Sequence, residues 1–97
     1  MPMHNPPHPG EFIVGVYLEP NGIRAKELAE KLDVSASTLG RILKGSGRIT
    51  PEMALRLSKS VGRSPESWLA MQDAHDLWLA RKNVDLERVG KLKFSTV

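Results

Sequence analysis

Residues 34–45 read VSASTLGRILKG, and they divide into two kinds of chemistry. Val34, Leu39, Ile42 and Leu43 fall on one side of a 3.6-residue repeat and can seat a helix on a core. The other side holds Ala36, Ser37, Thr38 and Arg41, followed by Lys44, and the stretch contains no acid. Small side chains let a helix backbone come close to duplex DNA. An arginine can donate two parallel hydrogen bonds to guanine, a serine or threonine hydroxyl serves several bases, and an alanine or threonine methyl can touch the methyl of thymine. Lys26, Ser35, Lys44, Arg48 and Thr50 are placed to hold phosphate, together with the backbone N–H groups that open the helix after Thr50.

These residues need a scaffold, and the punctuation of the chain supplies one. Pro9 suits a first helical position and Glu11 a first turn, which starts a helix over about 9–19 with Phe12, Ile13 and Val16 inward. The turn EPNG at 19–22 closes it. A second helix over about 24–32 carries the apolar stripe Leu28, Ala29 and Leu32. Ser35 caps a third, over 36–44, that stops at Gly45. Thr50-Pro51-Glu52 and Ser64-Pro65-Glu66 repeat one starting device: a capping hydroxyl, a proline and an acid. They open helices over about 51–61, with Met53, Ala54, Leu57 and Val61 inward, and over 65–82. No stretch has the alternation of a strand. The fold class is all-α, with an arm at 1–8, a domain at 9–83 and a weakly patterned tail at 84–97.

Helix two, a short turn and helix three have the dimensions of a helix-turn-helix over 24–44, in which the start of the second helix meets base edges in the major groove. Ala29 is small enough for the two helices to cross closely, and Val34 fills the turn. Charge agrees with a polyanionic partner. Residues 24–63 hold nine Lys/Arg against four Asp/Glu, within a chain of 97 residues and formal net charge +3. There is no cysteine, hence no disulfide framework and no Cys-based zinc site. With no long apolar run and no secretory leader pattern, the chain reads as soluble and cytoplasmic, with no membrane partner.

The string IRAKELAEKLDVSASTLGRILKG resembles the helix-turn-helix of the lambda-repressor/Cro-like (XRE) family. HPGEFI, followed by that motif and GRITPEMALRLSKSVGRSPESWLAMQDAHDLW, resembles the HigA-type antitoxins of bacterial addiction modules over about residues 5–83. The resemblance implies a five-helix lambda-repressor-like domain and a homodimer on palindromic operator DNA that represses its own operon. It also implies a small basic partner toxin, RelE-like and mRNA-cleaving, that the antitoxin binds and neutralises. The family's base-reading positions fall on Ala36, Ser37, Thr38 and Arg41. Ala36 departs from the wider family, where many relatives carry a hydrogen-bonding residue. A stand-alone XRE-type repressor without a toxin is the alternative.

The last helix carries apolar residues on more than one side. Met71, Ala74, Leu77 and Trp78 are the expected dimer contacts, because one side suffices for the chain's own core. Two surfaces are candidates for a toxin: the arm with helix one, expected to lie far from helix three, and the apolar residues of the tail, which would order on binding. His4 and His8 have a helical ligand spacing, but the prolines around them oppose a helix, and His75 is distant in sequence. No metal and no cofactor is expected. No catalytic pattern appears, so the chain reads as a binding protein rather than an enzyme.

Overall fold

The computed structural model describes residues 6–95 and is built on the capping signals. His8 closes the start of α1 (Pro9–Ile13): its Nδ1 accepts the N–H of Gly10 at 2.9 Å. The helix continues through Val14–Leu18 with the wider π hydrogen-bonding pattern, so that Glu19 N–H reaches the Val14 carbonyl at 2.9 Å. α2 is Ala25–Leu32, α3 Ala36–Lys44, α4 Pro51–Ser60 and α5 Pro65–Asn83. Ser35, Thr50 and Ser64 cap the last three, accepting the N–H groups of Thr38, Met53 and Ser67. Among the described residues there is no strand, and the five helices make an all-α fold. None is long and apolar enough to cross a membrane.

The π segment corrects the expected inner face of the first helix. One extra residue per turn rotates everything after Val14, so Ile13 and Leu18 are the buried pair, while Val16 is 46% exposed. The core gathers Ile13, Leu18, Leu28, Ala29, Leu32, Leu39, Ile42, Ile49, Met53, Ala54, Leu57 and Trp68. Trp68 lies at its centre, fully buried, with its indole N–H on the Gly62 carbonyl at 2.9 Å and the rings of Phe12 and Tyr17 about it. Burying a side chain the size of Leu39 or Ile42 contributes about 1.5–3 kcal/mol, which fixes α3 to the domain.

A further correction concerns the N-terminal segment. Helix one is not remote from α3. Gly10 is buried against it so closely that a Cβ would stand 2.0 Å from the Ile42 carbonyl oxygen. The end of the arm is folded onto the domain. Pro6 is buried, and its carbonyl accepts the Nδ1–H of His75 at 3.0 Å, while His8 Nε2–H donates to the Gly47 carbonyl at 3.0 Å. His8 and His75, far apart in sequence, meet edge to face with ring centres 5.2 Å apart. His4 lies outside the described residues, and so do the last two residues of the tail.

Candidate nucleic-acid interface

The turn between α2 and α3 is made by Asp33, in the left-handed region at φ 58°. Its N–H and that of Val34 close back on Glu30 and Ala29, and Arg56 donates to the carbonyls of Leu32 and Asp33 at 2.8 and 3.1 Å. The orphan carbonyls at the end of α2 are thus satisfied. Val34 is half-buried and packs on the core, which sets the angle at which α3 leaves the turn.

α3 presents its two faces as its sequence requires. Leu39 and Ile42 are buried and Leu43 half-buried, whereas Ala36, Ser37, Arg41 and Lys44 are exposed. Arg41 Nη1 donates to Ser37 Oγ at 3.1 Å, one helical turn back, so these two exposed side chains form a pair. Thr38 is half-buried, and its hydroxyl oxygen accepts the Ser35 hydroxyl at 2.8 Å. Ser35 therefore serves the cap with both its lone pair and its proton. Gly45, at φ 89°, ends the helix, and the N–H groups of Ser46 and Gly47 both return to the Arg41 carbonyl.

The residues expected on phosphate surround this helix. Lys26 is exposed in the first turn of α2 and Lys44 at the end of α3. Thr50 lends its oxygen to the Met53 N–H at 3.2 Å and keeps its proton to donate. Arg48 is exposed but paired with Asp76 of α5. Sequence reasoning missed what lies behind it. Gln72, 2% exposed, accepts the Ile49 N–H at 2.8 Å and donates to Asp76 at 3.1 Å. Periodicity could not find a buried glutamine whose partner is 23 residues away.

On α5, Ala74 and Leu77 are exposed, and Trp78 is half-buried under Lys82, whose Nζ lies 4.2 Å from its ring centre. Met71 packs against the chain's own core. The tail residues Val84, Leu86, Val89, Leu92 and Phe94 are all more than half exposed. Burial holds the His8 imidazole below its usual range, and neighbouring His75 acts the same way; the bond to Gly47 and the Asp76 and Glu11 carboxylates oppose them.

The fold has close counterparts. A helix-turn-helix family model matches residues 17–68. The HTH-type transcriptional regulator YddM of Escherichia coli K12, itself described as uncharacterized, is 39% identical over 92 residues, 95% of this chain and 97% of that one. The structure of an addiction module antidote protein of the HigA family from Coxiella burnetii superposes with a TM-score of 0.84 at 34% identity, covering 94% of this chain and all of the other. Antitoxin HigA of Pseudomonas aeruginosa, solved with the higBA promoter, gives 0.76 at 30% identity over 90% and 99%. The chain belongs to the XRE-type helix-turn-helix family and, within it, to the HigA-type antitoxins.

Proposed function

We propose that this protein is a homodimeric, sequence-specific repressor of its own operon that also binds and neutralises a RelE-like, mRNA-cleaving toxin. The observation that carries the DNA half is the outer face of α3: Ser37 and Arg41 exposed and paired, no acid within the helix, and the helix anchored behind by Leu39 and Ile42. In this reading Ala36, Ser37, Thr38 and Arg41 face bases, and Lys26, Lys44, Arg48, Thr50 and the region of Ser35 face phosphates. The promoter complex of the Pseudomonas aeruginosa antitoxin supports it. Support for the toxin half is the likeness to HigA-family antidote proteins. The dimer rests on Ala74, Leu77 and Trp78, with Met71 at the edge of the contact.

A gel shift on the DNA upstream of the gene tests the first half. Arg41→Ala should weaken binding by about 1–3 kcal/mol and relax the base preference at one position while leaving the fold intact. Unfolding of that variant would mean that Arg41 supports the core instead. Co-expression with an adjacent reading frame for a small basic protein tests the second half, by rescue of growth and co-purification. Likeness to YddM, a transcriptional regulator, favours the alternative of a repressor without a toxin. Rescue of growth would exclude it.

A further inference from the structure

The connector between α3 and α4 is tied to α5 by a chain of polar contacts that the DNA reading leaves unused. Ile49 N–H donates to Gln72, Gln72 donates to one oxygen of Asp76, and the other oxygen accepts Arg48 Nη1. Gln72 is buried and fixed at both ends, so the Asp76 carboxylate is held in place and is not a freely turning surface acid. The Arg48 side chain is 62% exposed and that of Asp76 33%. A phosphate can therefore approach the pair. Arg48 also lies two residues before Thr50, the cap of α4, beside the helix start that favours an anion.

The geometry points to Asp76 as a resident competitor for DNA: its carboxylate occupies Arg48 in the free protein and yields it to a backbone phosphate in the complex. This rests on the DNA-binding reading above. The exchange is one anion for another, so Arg48 stays paired, but Asp76 is left uncompensated near the phosphates. The abandoned carboxylate attracts a cation from solution, which offsets the counterion that Arg48 displaces from DNA. Asp76 thus lowers both the affinity and the salt dependence that Arg48 would otherwise confer. His8, whose imidazole feels this carboxylate, donates to the Gly47 carbonyl, and His75, next to Asp76 in sequence, donates to that of Pro6.

The test is a fluorescence-anisotropy titration of the upstream DNA duplex between 50 and 200 mM salt, with the full chain and four variants. Asp76→Asn keeps an oxygen for Gln72 and loses the charge. It should bind about 3–10-fold more tightly at low salt, with a log–log salt slope steeper by about 0.9. The gain should vanish when Arg48→Ala is added, relative to Arg48→Ala alone. Asp73→Asn, an exposed acid on the same helix, measures the general effect of removing a negative charge and should give a smaller gain. Equal or weaker binding by Asp76→Asn with a native circular-dichroism spectrum overturns the proposal. So does a gain that persists without Arg48, or a loss of helical signal in Asp76→Asn, which would make the carboxylate a structural support. No binding by the unaltered chain would overturn the DNA reading as well, and the two failures are thereby distinct.

Discussion

In Gly10→Ala the new methyl carbon would lie 2.0 Å from the Ile42 carbonyl oxygen and 2.8 Å from both the Ile42 carbonyl carbon and Leu43 Cα. A close carbon–oxygen contact is about 3.3 Å, so α1 must withdraw from α3 by roughly 1.3 Å at that point. No side chain can turn aside, because all three opposing atoms are backbone. Withdrawal loosens Ile13 and Leu18, which are buried on the same helix. Overpacking in cores costs about 1–3 kcal/mol, and a backbone-to-backbone clash belongs at the upper end. At about 4–8 °C per kcal/mol for a domain this size, the midpoint should fall by about 12–24 °C. Gly15→Ala is the matched control: nothing lies within 4 Å of its added carbon, and alanine in a helix gains about 0.5–1 kcal/mol over glycine. Thermal and urea unfolding of both variants read the difference. If Gly10→Ala melts within about 3 °C of the unaltered chain, α1 does not lie on α3 as described and the correction to its position fails.

Asp33→Gly should stabilise the domain by roughly 0.5 kcal/mol, since relief of the left-handed backbone outweighs the added chain entropy; a loss of stability in urea titration would show that the carboxylate has a role of its own. The folded state holds His8 below its usual value of 6.5, so it takes up a proton less readily than the unfolded chain. The neutral His8 contribution is therefore complete above about pH 6.5 and is lost as pH falls through the lower folded value. Melting points should decline from pH 7 to 5, and His8→Asn, which retains a capping oxygen, should flatten that decline relative to the native chain; an equal slope would assign the effect to other groups. Leu77→Glu puts a charge on the exposed face of α5 and should convert the proposed dimer to monomer in sedimentation at micromolar concentration, with no loss of helical signal. A dimer that persists would place the contact elsewhere.

What the sequence made legible was local. Ser35, Thr50 and Ser64 were each identifiable as caps because a capping hydroxyl bonds a backbone group three residues on, and the apolar repeat of α2–α4 followed from the same short range. The outer face of α3 was legible for that reason too: Leu39 and Ile42 can only face inward, which leaves Ser37 and Arg41 outside. The π turn was not, because widening a turn by one residue answers to what packs on either side of it. Neither was the clamp of Pro6 and His8 onto His75 and Gly47, whose hydrogen bonds span 69 and 39 residues. The charge pattern revealed the basic character of the connector, but not that Asp76 already holds Arg48.

The hydroxyl pair of Ser35 and Thr38 has a bearing on how proteins of this sequence diversify. Thr38 is tied to the start of its own helix through the Ser35 hydroxyl, so a change there alters the cap and the proposed operator surface together. Among the described residues Ala36 has no such tie, and the Ser37 side chain is bonded only to Arg41. Descendants that come to recognise a new operator are expected to vary first at 36, 37 and 41, keeping hydroxyls at 35 and 38. In a library randomised at all five positions and selected only for folding, 35 and 38 should already be restricted before any DNA is offered.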